Sequence, residues 1–163
     1  MVTAGAGIEV DLAAQLLHWT ADGSEARSYA ISSARNGAGE ANGSFCTPRG
    51  LHRIRARIGA GLESGAVLVG RRATGEIYSA ELGRREPQRD WILSRILWLC
   101  GCEPGRNRYG NVDSMRRYIY IHGTPDSEPM GVPASHGCVR MRNADVIDLF
   151  ERSPVGTPVM IHE

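Results

Sequence analysis

Short stretches in which apolar and polar residues alternate are the feature that most limits how this chain of 163 residues can fold. In residues 51–58, arginines alternate with mostly apolar residues, which is typical of a strand with one buried face and one basic outer face. Shorter strand candidates lie at residues 67–69, 77–82, 116–121 and 159–162. Many short strands of this kind predict a mainly β domain, arranged as a β-sandwich.

Turn signals divide the first strands. Residues 8–19 alternate loosely, and Asp22, Gly23 and Ser24 form a turn signal that leads into a return strand at residues 29–33. This arrangement predicts a first β-hairpin. Residues 35–44 are rich in glycine and asparagine, which predicts an irregular loop.

Two short helices complete the expected fold. Residues 90–100 have apolar positions that fit an amphipathic helix, which Gly101 and Pro104 would end. Asn143 predicts the N-cap of a second helix that continues through Phe150.

Length and composition predict one domain over residues 1–163. Nineteen basic residues, all of them arginines, stand against eighteen acidic ones, so the net charge points neither to nucleic acid nor to an anionic membrane as a partner. No apolar run approaches the roughly 20 residues of a membrane span. The first residues lack the positive charge and apolar core of a signal peptide. We therefore expect a cytoplasmic protein, or a periplasmic one if an export signal has been removed.

His122 is the first candidate for chemistry, because it ends an alternating strand. Tyr118, Tyr120 and His122 share one face, while the isoleucines between them point to the other. His122 should therefore emerge beside an aromatic wall, and Gly123 allows a sharp turn or the close approach of a substrate. The alternative is a histidine that only caps the strand by bonding to the backbone.

Cys138 is the second candidate, within the segment Ser135-His136-Gly137-Cys138-Val139-Arg140. Small residues around a cysteine let backbone N–H groups converge in front of the sulfur, where they could stabilise a negative oxygen. We expect His136 and Arg140 to lower the pKa of the thiol through their positive potential. The alternative is an inert buried cysteine.

A disulfide framework and a zinc site are two further possibilities for the cysteines and histidines. The four cysteines do not amount to a disulfide framework in a domain of this size, and reduced thiols are favoured for Cys46, Cys100 and Cys102. His122, His136 and Cys138 could bind zinc with a further cysteine, but the paired spacing of zinc ligands is missing. We predict no metal and no cofactor.

Together, His122-Gly123-Thr124 and Ser135-His136-Gly137-Cys138-Val139-Arg140-Met141 resemble the signature of the L,D-transpeptidase catalytic (YkuD-type) family. The segment from Thr47 to Ile54 is similar to an early T-P-x-G-x-x-x-I element of that family. Residues 143–150 and 155–159 resemble its closing helix and strand. The resemblance therefore extends over most of the chain.

The resemblance implies a β-sandwich with one to three short helices and an enzyme that acts on peptidoglycan stem peptides or muropeptides. By position, Cys138 matches the nucleophile and His122 its base, while His136 and Gly137 match the second histidine and the oxyanion-side glycine. Arg140 matches a residue that orients either the substrate or the cysteine segment. The expected substrate contacts are Tyr120, Gly123, Ser135 and Arg140, and residues 125–134 would form the rim of the pocket.

The implied reaction cleaves the bond between an L-centre, such as that of meso-diaminopimelate, and D-alanine through a cysteine thioester. Attack by an amine makes the enzyme an L,D-transpeptidase, and attack by water makes it an L,D-carboxypeptidase, which the expected cytoplasmic location favours. Carbapenem-type β-lactams would be candidate acylating agents. A non-catalytic muropeptide-binding protein and a zinc-dependent hydrolase are the alternatives from other classes.

Overall fold

A computed structural model describes residues 5–22 and 25–163 of the chain. Its strands are β1 (Gly7–Asp11), β2 (Leu16–Thr20), β3 (Ala26–Ser32), β4 (Gly50–Ile58), β5 (Ala66–Val69), β6 (Arg72–Ile77), β7 (Ile92–Gly101), β8 (Tyr120–Gly123), β9 (Val139–Met141) and β10 (Pro158–His162). Its α-helices are α1 (Ala80–Arg85) and α2 (Asn143–Arg152), and a short 3-10 turn covers Gly110–Val112. Within the described ranges, neither helix has the length and apolar character that crossing a bilayer requires.

The strands form one sheet that closes on itself. Its order is β4-β10-β1-β2-β3-β9-β8-β7, and β7 pairs back with β4, while the β5–β6 hairpin extends from β7. Closure leaves few unpaired strand edges. The mainly β fold class with short helices is thus confirmed, and the expected sandwich takes the form of a single barrel-like sheet.

The main core lies inside this closed sheet. It contains the inward-facing residues of most strands, and α2 adds Val146, Leu149 and Phe150. On β8 and β9 the core residues are Ile121, Val139 and Met141, all fully buried. Because side chains alternate along a strand, the residues next to these core positions face outward. The core therefore decides which residues of β8 and β9 can form a surface site.

Residues 92–101 form strand β7, so the helix predicted for residues 90–100 is wrong. β7 pairs with β4, β5 and β8 and is buried on both faces for most of its length. A strand buried on both faces has a nearly continuous apolar run, which periodicity alone does not separate from a buried helix. Tertiary pairing decides its conformation.

The strand predicted for residues 77–82 is also wrong. Ile77 ends β6, and α1 begins shortly afterwards at Ala80. The Ser79 hydroxyl caps this helix by accepting a hydrogen bond from the Leu82 N–H at 3.1 Å. A capping serine ahead of a short helix outweighs the weak strand preference of the segment.

Asn143 is the first residue of α2 rather than its N-cap, which is Arg142. The Asn143 side chain instead accepts a hydrogen bond from the Ser94 hydroxyl at 2.6 Å and donates to the Thr124 carbonyl at 3.0 Å. It therefore ties α2 to β7 and to the end of β8.

The remaining strand predictions have mixed outcomes. Residues 8–19 form two strands rather than one, with a turn at residues 12–15. The hairpin into the strand at residues 29–33 is present as β2–β3, but Gly23 and Ser24 of its predicted turn lie outside the described residues. The strands at residues 51–58, 67–69 and 159–162 and the irregular loop at residues 35–44 are confirmed. The strand predicted at residues 116–121 is mostly wrong, because residues 114–118 form a turn and β8 begins only at Tyr120.

Candidate active site

The parallel pairing of β8 and β9 brings the predicted site residues to one face of the sheet. His122 lies opposite Arg140 in this pairing. Tyr120 is two residues before His122, and Cys138 is two residues before Arg140, so all four side chains point outward on the same face. They line one cavity of about 290 Å³, which we call the histidine pocket.

His122 is oriented by a hydrogen bond to the backbone of its own strand. Its Nδ1 lies 2.6 Å from the Gly123 carbonyl oxygen. Because that oxygen can only accept, Nδ1 carries the proton and Nε2 keeps a free lone pair. Burial lowers the pKa of His122 below its usual value. The imidazole is therefore neutral at pH 7 and able to accept a proton.

The sulfur of Cys138 is held between two backbone groups. Its thiol donates to the Tyr118 carbonyl at 3.3 Å, and the Tyr120 N–H donates to the sulfur at 3.3 Å. Burial raises the pKa of the Cys138 thiol to about 12, although the Tyr120 N–H, Arg140 and Arg117 act in the opposite direction. The predicted lowering of this pKa is therefore wrong, because loss of solvation outweighs the nearby positive charges.

The segment from Ala134 to Cys138, which we call the cysteine loop, is fixed from inside. The Ser135 hydroxyl donates to the Cys138 carbonyl at 2.5 Å and accepts from the Gly137 N–H at 3.2 Å. Gly137 has a φ of 136°, which L side chains rarely adopt. Ser135 lines the pocket, but its hydroxyl is used within the loop.

Thr47 fixes the same loop from outside. Its hydroxyl donates to the Gly137 carbonyl at 2.9 Å and accepts from the Ala34 N–H at 3.0 Å, and the side chain is fully buried. The N–H groups of His136 and Cys138 have no acceptor in the described hydrogen-bond network. They are the two donors of the loop that remain available, since those of Ala134 and Ser135 donate to the Ser33 carbonyl and that of Gly137 donates to the Ser135 hydroxyl.

Asp90 connects the two basic residues of the motif. One carboxylate oxygen accepts from the Arg140 guanidinium at 3.0 Å, and the other lies 3.5 Å from Nδ1 of His136. Arg140 is 9% exposed and also donates to the Ala134 carbonyl at 3.4 Å, so it braces the cysteine loop. Sequence reasoning missed Asp90, because the segment around it was interpreted as a helix.

Arg71 forms one wall of the histidine pocket and was also missed. It lies in the turn between β5 and β6 and donates to the Tyr120 hydroxyl at 3.0 Å. Its guanidinium lies 5.0 Å from the ring centres of Trp98 and Tyr118. Within the described ranges it forms no ion pair with a carboxylate. No local sequence signal marks this residue, because it reaches the site only through the β5–β6 hairpin.

A second pocket of about 250 Å³ also opens onto Cys138. Phe45 and Arg117 line it together with His136 and Gly137, and we call it the Phe45 pocket. Arg117 donates to the Cys46 carbonyl at 2.7 Å and to the Glu40 carbonyl at 3.2 Å, so it anchors the irregular loop at this edge. His136 and Cys138 are the only lining residues that the two pockets share.

Two expectations about the surroundings of the site do not hold. Gly123 does not line either pocket; a side-chain carbon there would lie 2.5 Å from the Leu93 carbonyl oxygen, so the glycine serves strand packing. Residues 125–134 do not line the pockets either, and the rim predicted there is wrong. The lining instead includes Gly70 and Arg71 in the histidine pocket and Phe45 in the Phe45 pocket.

The potential metal ligands do not assemble. Across residues 5–22 and 25–163, no three His, Cys, Asp or Glu side chains converge into a ligand set. The four cysteines are free thiols.

Comparisons with known proteins agree with this geometry. A family model described as "L,D-transpeptidase catalytic domain" matches residues 5–161. The "Probable L,D-transpeptidase YbiS" of Escherichia coli (strain K12) is 54% identical over 43 residues, which are 26% of this chain and 14% of that protein.

Solved structures match over the whole fold. An L,D-transpeptidase from Xylanimonas cellulosilytica is 25% identical with a TM-score of 0.54, and the match covers 98% of this chain and 61% of that one. L,D-transpeptidase 3 from Mycobacterium tuberculosis, in complex with a faropenem-derived adduct, is 14% identical with a TM-score of 0.60, over 98% of this chain and 60% of that one. The chain thus spans less than two thirds of the proteins it matches.

Proposed function

Since the chain belongs to the L,D-transpeptidase catalytic domain family, we propose that Cys138 is its nucleophile and that it transfers the acyl group of a peptidoglycan stem peptide. The observation that carries this proposal is the outward face of β8 and β9, where His122 and Cys138 line one pocket. The scissile bond joins an L-centre, by family meso-diaminopimelate, to a terminal D-alanine.

The reaction begins from two neutral groups. The Cys138 thiol turns from the Tyr118 carbonyl towards Nε2 of His122, which takes its proton as the sulfur attacks the carbonyl carbon. The Nδ1–H bond to Gly123 holds the imidazole in the tautomer that leaves Nε2 free, and it stabilises the imidazolium that forms. The imidazolium then gives the proton to the nitrogen of the departing D-alanine, which leaves a thioester on Cys138.

The cysteine loop supplies the electrostatic part of the reaction. In this proposal the N–H groups of His136 and Cys138 donate to the oxygen that becomes negative in the tetrahedral intermediate. Arg140 and Asp90 keep the loop in place, so these donors need no rearrangement during attack. Arg117, whose positive charge already acts on the Cys138 sulfur, stabilises the same developing charge.

The two pockets favour an amine acceptor over water as the second substrate. A donor stem peptide in the histidine pocket leaves the Phe45 pocket open to the same sulfur. An amine bound there would attack the thioester with the advantage of a fixed orientation. We therefore propose L,D-transpeptidation as the reaction.

L,D-carboxypeptidase activity is the second candidate. No residue of the segment 125–134 covers the pockets, and Cys138 is itself partly exposed. Water can therefore reach the thioester when no amine is bound. If the domain meets its substrates in the cytoplasm, hydrolysis is favoured further, because wall cross-linking does not occur there.

Carbapenem-type β-lactams should acylate the same sulfur. A β-lactam carbonyl can occupy the position of the scissile peptide carbonyl, and the ring opens without releasing a separate leaving group. The faropenem-derived adduct on the Mycobacterium tuberculosis protein is a precedent in the same fold. We propose that such an adduct forms on Cys138.

Release of D-alanine from a tetrapeptide stem tests this function, with and without an added D-amino acid. We expect D-alanine release, an exchange product when the D-amino acid is present, and loss of both in Cys138→Ala. Cys46→Ala is the matched control, because that thiol lies at the edge of the site without lining either pocket. Undiminished release from Cys138→Ala would contradict the proposal, and tripeptide without any exchange product would favour the carboxypeptidase.

A further inference from the structure

A third pocket, separate from the site described above, is lined by four arginines. Arg53 and Arg55 on β4, Arg108 in the loop after β7 and Arg116 in the turn before β8 surround a cavity of about 240 Å³. We call it the arginine pocket. It shares no lining residue with the histidine pocket or the Phe45 pocket.

The lining of the arginine pocket carries more positive than negative charge, with four arginines against one aspartate. In the part of the chain that the structure describes, none of its four guanidinium groups forms an ion pair with a carboxylate. The one acidic residue in the lining is Asp113. Its two oxygens accept the N–H groups of Tyr109 at 2.7 Å and Arg116 at 3.0 Å. The backbone thus holds this carboxylate, whose single negative charge acts on Arg116 and offsets only one of the four positive charges.

Glu103, an acidic residue of the same loop outside the lining, is also occupied. Glu103 accepts the Leu51 N–H at 2.7 Å and pairs with Arg106 at 3.2 Å. The whole chain has a net charge of only +1, so the pocket is a local concentration of positive charge. A concave surface with charges of one sign raises the local concentration of oppositely charged ligands.

The loop that carries two of the arginines is held rigidly. Asn107 is fully buried and donates to the Arg49 and Leu51 carbonyls, both at 3.1 Å. A side-chain carbon on Gly101 would lie within van der Waals overlap of Asn107, so the loop packs directly on β7. At its other end, the Ser114 hydroxyl is 2.8 Å from Nε2 of buried His52. The arginines are thus presented on a fixed frame, which reduces the entropy cost of binding.

The number of guanidinium groups selects the kind of anion. A guanidinium group pairs best when two of its N–H groups donate to two oxygens of one anion. A carboxylate has only two oxygens and can form this two-point pair with one arginine. Two linked phosphoryl groups offer enough oxygens to form such pairs with several arginines from different directions. The cavity has the liquid volume of roughly eight water molecules, which suits a diphosphate. We infer that the arginine pocket binds a small ligand bearing linked phosphoryl groups.

Titration calorimetry with inorganic pyrophosphate in phosphate-free buffer of low ionic strength tests this inference. We expect one saturable site, and an affinity that falls at least about tenfold in Arg53→Ala/Arg108→Ala because charge-assisted hydrogen bonds are lost. Arg84→Ala removes an exposed arginine at the end of α1, outside this pocket, and should bind like the unaltered chain. Thermal unfolding of each variant checks that the fold is kept.

Two further binding measurements separate phosphoryl binding from the proposed acyl transfer and from general binding of anions. Cys138→Ala should bind pyrophosphate normally, because the arginine pocket does not depend on the proposed acyl transfer. D-Glutamate, which carries carboxylates instead of phosphoryl groups, should bind more weakly than pyrophosphate. The inference is overturned by the absence of saturable pyrophosphate binding, by equal affinity in the double variant, or by D-glutamate binding as tightly as pyrophosphate.

Discussion

At the scale of single residues, the site depends on the uncharged state of its two central groups. Burial lowers the pKa of His122 and raises that of Cys138 to about 12. A thiolate–imidazolium pair is therefore not the resting state at neutral pH. His122 has to remove the proton during attack, and its orientation by the Gly123 carbonyl becomes part of the chemistry.

The protonated resting state of the Cys138 thiol predicts how it reacts with iodoacetamide. Without substrate, the rate of alkylation should rise about tenfold per pH unit between pH 7 and pH 9, because only the thiolate reacts. Mass spectrometry of the modified peptide gives the rate for Cys138, and Cys46 in the same sample serves as an internal reference. A rate that is independent of pH over this range would show a preformed thiolate and contradict the account.

Arg71 is the residue that we expect to bind a substrate carboxylate at the mouth of the histidine pocket. Its guanidinium keeps free N–H groups beyond the bond to the Tyr120 hydroxyl. Arg71→Ala should raise KM about tenfold, as for loss of a hydrogen bond to a charged group, and should leave kcat nearly unchanged. Arg72→Ala, which removes the adjacent exposed arginine outside the pocket, is the control. A fall in kcat at constant KM would assign Arg71 a different function.

At the scale of structural elements, the cysteine loop is held by hydrogen bonds from segments distant in the sequence. Thr47 lies 90 residues before Gly137, and its hydroxyl joins the Gly137 carbonyl to the Ala34 N–H. Both bonds are buried, so neither group can pair with water if the hydroxyl is removed. The loop should therefore depend on Thr47 for its conformation as well as its stability.

Thr47→Val should test this dependence, since it replaces the hydroxyl by a methyl group of similar size. We expect a loss of about 1–3 kcal/mol in the free energy of unfolding, from the two buried groups left unpaired. D-Alanine release should slow as well, because the oxyanion donors lie on the same loop. Thr74→Val, on the exposed β6 strand, is the matched control. Unchanged stability and turnover in Thr47→Val would show that the cysteine loop keeps its conformation without the Thr47 hydroxyl.

The site was more predictable from the sequence than several of the elements around it. Alternation along β8 correctly placed His122 on the outward face, because the isoleucines between the polar positions have to be buried. The strand β7 was not predictable, since burial on both faces removes its periodicity. Asp90 and Arg71 could not be recognised either, because only tertiary pairing brings them to the pocket.

At the scale of the whole molecule, folding buries two histidines, His52 and His122, and keeps them neutral. His52 is fully buried, with Nδ1 3.0 Å from the Gly50 carbonyl and Nε2 2.8 Å from the Ser114 hydroxyl. Burial lowers its pKa to about 4, and that of His122 is lowered for the same reason. The unfolded chain therefore binds more protons than the folded one at mildly acidic pH.

Stability should consequently fall as the pH is lowered from about 6.5 towards 4. For His52 alone, the pKa difference between the unfolded and folded states corresponds to about 3 kcal/mol, fully present above pH 6.5 and lost towards pH 4. Urea unfolding at pH 7, 6 and 5 measures this loss. In His52→Gln the free energy of unfolding should depend less steeply on pH, by about one proton bound on unfolding. His162, whose pKa is raised, contributes in the opposite direction, but it does so equally in both proteins and cancels in the comparison. Equal slopes for both proteins would contradict the buried neutral histidine.

The central claim is that Cys138, with His122 as its base, forms a thioester with a stem peptide. The most direct measurement is intact-mass spectrometry with peptide mapping, after the enzyme is mixed with a tetrapeptide stem and quenched in acid. We predict an adduct on Cys138 that lacks the terminal D-alanine, slower adduct formation in His122→Ala, and none in Cys138→Ala. D-Alanine release without any adduct, or an adduct on another residue such as Cys46, would contradict the account.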